Sequence, residues 1–278
     1  MSNNWIVENL VNAFETWNQK LAEIWQLIST GPAEFKGGAV WATIVAINGG
    51  LKAFGYALVV LFFAMSIFKS TANFQDFKRP ETVWRFFIRF LAAKTVVGYG
   101  LEIMTTLFSV CMGIISTAAG HISDMTSATV SLPQEIADEI ESIGFLASIP
   151  LWLVTLLGSL FITVLSFILI LTVYSRFFRL YMYTALAPVP LSTFAGELTS
   201  STGKAFIKSY LGVCLEGAVI VLACLIFSAF SSSPVTVIGT GSAVTRVWSY
   251  VAEVVFNMLV MVGIVKGADR IVKEMMGL

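Results

Sequence analysis

Five apolar runs, at residues 45–68, 95–118, 149–174, 210–230 and 247–265, govern what this chain can fold into. A helix rising about 1.5 Å per residue crosses the hydrocarbon of a bilayer in roughly 20 residues, so each run is long enough to span. With 57% hydrophobic and 12% charged residues, the chain has too little polar surface for an ordinary soluble domain. The expected fold is all-α: an integral membrane protein with about five transmembrane helices. Residues 1–38 are expected to form an extracytoplasmic amphipathic helix and linker, and residues 39–278 the polytopic membrane domain.

Basic residues near span ends are retained on the cytoplasmic face. Lys69, Lys78, Arg79, Arg85, Arg89 and Lys94 follow the first run, Arg176, Arg179, Lys204 and Lys208 the third, and Lys266, Arg270 and Lys273 the fifth. The other side receives only Lys20, Lys36, Lys52 and Arg246, while the segment 120–148 carries Asp124, Glu135, Asp138, Glu139 and Glu141 without any Lys or Arg. This asymmetry predicts an outer N-terminus, a cytoplasmic C-terminus and a multi-pass protein of the cytoplasmic membrane. Three partners fit the basic inner face: anionic lipid headgroups, protein or nucleic acid. Lipid and topology explain it at least cost. Lys78, Arg79, Arg85, Arg89, Arg176 and Arg179 are the candidate cytoplasmic partner contacts.

The N-terminal segment is read as amphipathic rather than spanning. Ile6, Leu10, Phe14, Trp17, Leu21, Ile24 and Ile28 recur at spacings of three and four, with Glu8, Asn12, Glu15, Asn18, Glu23 and Gln26 on other faces. Gly31-Pro32 stops this helix. Trp5, Trp17, Trp25 and Trp41 suit the headgroup level, and the helix is expected either to lie on the outer leaflet or to pack on neighbouring subunits. No cleavable signal pattern is visible, so the first span is expected to serve as an uncleaved insertion signal.

Between the runs, a helical pattern resumes at Thr82 and is expected to run unbroken into the second span. Ser131-Leu132-Pro133-Gln134-Glu135 reads as a helix start, with a short outer helix from Pro133 to about residue 147 whose acids face water. Pro188 and Pro190 interrupt the apolar stretch 180–195, because proline removes a backbone donor and breaks the ladder. An elbow near the inner surface is expected there, with a re-entrant segment lining a pore as the alternative.

Ionisable groups within the runs cost several kcal/mol, about 2.5–3.5 by insertion scales, unless paired or wet. The candidate intramembrane polar sites are Lys52, Lys94, Glu102, Glu216 and Glu253. Lys52 and Glu253 are placed to pair; Glu102 and Glu216 are placed to face a protein interior or subunit interface near Lys94. Reaching water at the interface by snorkelling is the competing reading for all of them. Ser109, Gly113 and Thr117, and likewise Gly263 and Gly267, repeat every four residues as helix-packing faces.

Nothing in the sequence assembles a reaction centre, and no enzyme, cofactor or metal site is expected. His121 is the one histidine, which removes triad and multi-histidine metal arrangements. Cys111, Cys214 and Cys224 lie in the runs without paired spacing. Around Thr202-Gly203-Lys204-Ala205, Leu198 and Ala205 break the phosphate-loop pattern, and Val244 breaks the dinucleotide pattern that begins at Gly239.

The order of features resembles the TrbL-like conjugal transfer proteins, the polytopic membrane subunit of type IV secretion systems. The resemblance rests on the outer amphipathic N-terminus, five spans ending inside, Thr82-Val83-Trp84-Arg85-Phe86-Phe87-Ile88-Arg89-Phe90-Leu91, and Tyr174-Ser175-Arg176-Phe177-Phe178-Arg179 leading to Ala187-Pro188-Val189-Pro190-Leu191. It implies a channel or scaffold subunit, homo-oligomeric, set in the lipid bilayer beside other secretion-machine subunits including ATPases. Such a subunit assists transfer of single-stranded DNA with bound relaxase and contacts that DNA transiently. The alternative is a small-solute transporter or channel subunit, although neither matching halves nor correspondingly broken helices are present. A structural membrane anchor is a third class, for which the intramembrane glutamates would be dispensable.

Overall fold

A computed structural model describes residues 5–71, 80–120, 129–142, 145–231 and 242–278, and among them every regular element is helical. These are α1 (Trp5–Ser29), a 3-10 turn (Phe35–Gly38), α2 (Ala39–Thr71), α3 (Pro80–Gly98), α4 (Gly100–Gly120), α5 (Gln134–Ser142), α6 (Phe145–Leu186), α7 (Pro188–Ser192), a second 3-10 turn (Thr193–Ala195), α8 (Ser200–Ser231) and α9 (Ala243–Met276). Among the described residues five stretches are long and apolar enough to cross a membrane: Phe35–Lys69, Gly100–Thr117, Ile149–Leu186, Ser200–Ala229 and Ala243–Met276. They coincide with the five predicted runs. The first and fourth begin ten residues earlier than the runs, at Phe35 and Ser200, and the third and fifth end later, because Arg176, Arg179 and Asp269 interrupt the apolar pattern without interrupting the backbone ladder.

The chain divides into two compact units. The first comprises Met1–Ser29, Ile115–Tyr174 and Gly217–Ala268; the second comprises Thr30–Ile114, Ser175–Glu216 and Asp269–Leu278.

In the first unit α1 is amphipathic as its spacing predicts, but its apolar stripe is covered by its own chain rather than by a leaflet or a neighbouring subunit. Ile6, Leu10, Trp17, Ile24 and Ile28 are buried. Trp5 meets Trp152 at 5.3 Å between ring centroids, the Lys20 ammonium sits 5.9 Å from the Phe167 ring centre, and Tyr174 donates to Glu23 Oε1 at 3.2 Å. Residue numbers rise together along both helices, so α1 lies parallel to α6 as far as Tyr174. Trp17, expected at headgroup level, instead packs against Phe227 at 6.0 Å. Lys20 bonds Glu23 at 2.7 Å, and that hydrogen bond holds the Glu23 carboxyl below its usual range.

Asn18 ties α1 to the segment before α5 by donating to the Val130 carbonyl at 2.9 Å and accepting the Val130 N–H at 3.0 Å. Pro133 then opens α5, its carbonyl accepting from Ile136 and Ala137. The described part of this helix runs from Gln134 to Ser142, and residues 143–144 lie outside the described residues. Not all its acids face water: Glu139 pairs with Arg246 at 2.6 Å, beside the buried Ile136 and Ile140.

In the second unit the 3-10 turn holds three successive left-handed residues, Lys36 (φ 50°), Gly37 (φ 71°) and Gly38 (φ 77°). Glycine supplies this conformation without the Cβ clash that other residues meet. Phe35 anchors the turn by stacking on Phe177 at 4.3 Å. α3 runs antiparallel to α2: Phe90 lies 4.7 Å from Phe63, and Gly98 lies opposite Tyr56. The expected unbroken second helix is jointed at Tyr99, where the N–H of Tyr99 still reaches Thr95 and its carbonyl still accepts from Ile103. Glycines on both sides of the joint make room, since a Cβ at Gly98 would stand 3.0 Å from the Tyr56 hydroxyl and one at Gly100 2.9 Å from Leu191 Cδ1.

The stretch 180–195 is broken at Ala187, where an elbow was expected, α6 ending at Leu186 and α7 beginning at Pro188. Asn48 donates to the Thr184 carbonyl, Gly55 abuts Pro188, and Gly196 approaches Phe62, so the end of α6, α7 and the second 3-10 turn run alongside α2 in its own direction. Gly55 is the central residue of the 33-residue α2. Ala187, Pro188, Leu191, Ser192 and Ala195 are buried, which supplies the protein cover that irregular backbone at membrane depth requires.

Among the described residues, the glycines of the expected small-residue faces have open space where a side chain would stand. A Cβ on Gly113, Gly263 or Gly267 would meet nothing within 4 Å. Close approach falls instead on Gly55, where a Cβ would stand 2.9 Å from the Pro188 carbonyl oxygen, and on Gly158, where it would stand 2.5 Å from Val251 Cγ1. Gly55→Ala is therefore expected to destabilise the protein by about 1–3 kcal/mol through overpacking against rigid backbone. Gly49→Ala, which meets nothing within 4 Å, should be neutral or stabilising by up to about 1 kcal/mol. Thermal unfolding of both variants in detergent checks the opposite signs.

Candidate functional site

The second unit has a charged interior where α6, α8 and α9 converge. An apolar helix carries Arg176 and Arg179 three residues apart, a spacing that places both on one face. Arg179 is the fork: Nη2 reaches both Glu216 carboxylate oxygens at 2.6 Å, and Nη1 reaches Asp269 Oδ1 at 2.7 Å. Lys273, one turn along α9, closes on the other Asp269 oxygen at 2.9 Å. Glu216 is only 1% exposed, so its charge depends on this fork.

Arg176 is equally buried and meets no carboxylate. Its Nε donates to the Val213 carbonyl and its Nη2 to the Cys214 carbonyl, both at 3.3 Å. The Phe108 and Phe177 ring centres lie 5.9 Å from its guanidinium carbon, close enough for cation–π attraction. Among the described residues its Nη1 has no hydrogen-bond partner. Beside it lie the Cys111 and Cys214 thiols, free, buried and neighbouring each other from α4 and α8.

A polar thread continues from this cluster. Tyr210 donates to the Met104 carbonyl at 2.8 Å, Thr184 to Leu180 at 2.8 Å, and Asn48 to Thr184 at 2.7 Å. All of these bonds end on backbone or on an opposite charge. The arrangement can hold helices in register and satisfy buried polarity; it presents no nucleophile paired with a base.

Pairings along the helices also set their directions. Tyr210 against Met104 and Cys214 against Cys111 make α8 parallel to α4. Tyr183 against Phe206, with Arg176 against Val213, makes α8 antiparallel to α6. Together with the α2–α3 pairing, successive long segments in this unit alternate in direction.

The sequence-predicted residues are distributed as follows. Glu216 is in the interior as expected, but its partner is Arg179 rather than Lys94. Glu102 and Lys94 are exposed and make no ion pair among the described residues. Lys52, half-buried, belongs to the second unit and Glu253, exposed, to the first; neither has an ion pair within its own unit. Arg176 and Arg179, expected among the partner contacts, are engaged inside the chain. Their α8 partners begin at Val213, nine residues and so roughly 14 Å along the helix from Lys204. Arg85 is exposed and Arg89 lies 3.6 Å from Glu197, while Lys78 and Arg79 lie outside the described residues.

Sequence reasoning missed Asp269, Tyr210, Asn48 and the proximity of Cys111 to Cys214. One signal was available. Asp269 and Lys273 stand at the i,i+4 spacing of a helical ion pair, which marks α9 as continuing beyond the apolar run.

Five helices long and apolar enough to cross a membrane among the described residues, with successive segments of the second unit alternating in direction, define a multi-pass helical membrane protein. The sequence profile of the TrbL/VirB6 plasmid conjugal transfer like proteins matches residues 17–188, more than half of the chain, and the chain belongs to that family. No curated protein and no solved structure matches it.

Removing the fork leaves Glu216 buried without a counter-charge. Arg179→Ala is expected to cost about 3–5 kcal/mol, the usual penalty for breaking a buried pair from one side. Adding Glu216→Gln should recover part of that loss, because the stranded charge disappears. Unfolding midpoints of the two single variants and the double variant in mixed micelles check the coupling, and strict additivity would refute the fork as the holding interaction.

Proposed function

We propose that this chain is a non-enzymatic channel or scaffold subunit of a conjugative type IV secretion apparatus, assisting passage of single-stranded DNA with bound relaxase across the cytoplasmic membrane of a bacterium. In this reading the N-terminus is outside, the C-terminus is cytoplasmic, and several copies assemble beside the ATPases that drive transfer. The observation that carries it is the family match along residues 17–188. The interior supports it, since its buried charges bind helices to one another and leave motive chemistry to partners.

The alternation of helix directions in the second unit is what successive membrane crossings require. Arg85 and Arg89 near the start of α3 and Lys204 near the start of α8 share one groove, which supports placing that end in the cytoplasm. Packing of α7 against the centre of α2 supports the re-entrant reading of 180–195 over the surface elbow. Lys78 and Arg79, beyond the end of α2, are the proposed contacts for cytoplasmic partner subunits.

Deletion of the gene from a conjugative donor is expected to lower plasmid transfer to background, with recovery on complementation in trans. Retained transfer together with altered uptake of a small solute would move the assignment to a transporter. For topology, alkaline phosphatase fused after Leu278 or between α2 and α3 should be silent, and fused between α4 and α5 it should be active. An active C-terminal fusion would reverse the orientation.

A further inference from the structure

The groove shared by α3, α4 and α8 has a volume of about 690 Å³, within the range of small-molecule sites. Its chemistry is graded along both walls. On α3 the lining residues pass from Arg85 and Arg89 through Ala92 and Ala93 to Val96, and Ile103 continues the wall on α4. On α8 they pass from Ser200 through Lys204 to Ile207. The second unit sets both helices in the same direction, so basic ends meet basic ends and apolar ends meet apolar ends.

The cations at the mouth are available. Arg85 and Lys204 are exposed and make no ion pair among the described residues. Arg89 stands 3.6 Å from Glu197, a carboxylate 70% exposed, which is longer than a charge-assisted hydrogen bond. Beyond the mouth, Ala93 is fully buried and Val96, Ile103 and Ile207 are half-buried, forming an apolar slot in a helix bundle that lies in lipid. A soluble anion would leave that slot empty, and a neutral lipid would leave the three cations unmatched.

We propose that this groove is a binding site for one anionic diacyl phospholipid. The headgroup phosphate sits among Arg85, Arg89 and Lys204, and an acyl chain runs along Ala92, Val96, Ile103 and Ile207. Basic pockets between membrane helices recognise lipid headgroups through this charge matching. The site requires only that the protein is membrane-embedded, so it stands or falls separately from the secretion assignment.

The test uses full-length protein in neutral detergent, loaded with phosphatidylglycerol or phosphatidylcholine and read by native mass spectrometry for retained lipid. Wild type should retain phosphatidylglycerol in preference. Each of Arg85→Ala, Arg89→Ala and Lys204→Ala should reduce that preference about fivefold, and the triple variant about a hundredfold. Glu197→Gln should strengthen retention by removing the competing carboxylate. Ala92→Trp, which keeps every charge and blocks the slot, should release phosphatidylglycerol and decides the matter if the triple variant does not fold. Inorganic phosphate and dihexanoyl phosphatidylglycerol should displace the long-chain lipid poorly. Equal retention of the two lipids, an unchanged preference in the triple variant, unchanged retention in Ala92→Trp, or displacement by phosphate alone would each overturn the proposal.

Discussion

A guanidinium group on an apolar helix must find its counter-charges inside the protein, and Arg179 does so by gripping Glu216 with one nitrogen and Asp269 with the other. One side chain on α6 thereby fixes positions on α8 and α9. Lysine could not substitute as a fork, because a single ammonium lacks the planar, two-pronged geometry. Glu216 has no other cation at bonding distance among the described residues. Arg176, one turn away, adds a second tie to α8 through backbone carbonyls. The convergence of three helices therefore rests on charges that desolvation would penalise if they were left alone.

Around this fork the second unit is shaped by where side chains are absent. Gly55 lets the Pro188 carbonyl approach the centre of α2, and Gly98 and Gly100 let the α3–α4 joint meet Tyr56 and Leu191. Proline at 188 and 190 ends α6 and begins a short helix whose irregular backbone is covered on the α2 side. Lipid offers no hydrophobic drive for helices to associate, so close backbone contact and internal polar bonds carry the association. On the side facing α2, protein covers the break, with Ala187, Pro188, Leu191 and Ala195 buried.

How much of this could be read beforehand differs by feature. The amphipathic spacing of Ile6, Leu10, Trp17 and Ile24 located α1 and its buried face, yet periodicity says only that a face is buried and not by what. It could not reveal that α6 covers it. Glu216 stood out because a carboxylate in an apolar run demands compensation. Arg179 did not stand out as its partner, because hydropathy ended the third span at Tyr174 and placed the arginines on the cytoplasmic face as contacts for other subunits. The repeat of small residues at Ser109, Gly113 and Thr117 marks a face by its four-residue spacing, and such spacing does not say what the face meets.

The sequence by itself determined the all-helical class, the number of long apolar helices, the family and the sites where glycine or proline would break a helix. Each of these follows from local chemistry: apolar length, turn propensity and the order of motifs along the chain. Only the tertiary structure decided which carboxylates meet Arg179, which glycines carry close contact, that 180–195 runs beside α2, and that Arg85, Arg89 and Lys204 border one groove. Those are relations between residues far apart in sequence, set by helix direction and rotation, and no local pattern encodes either quantity.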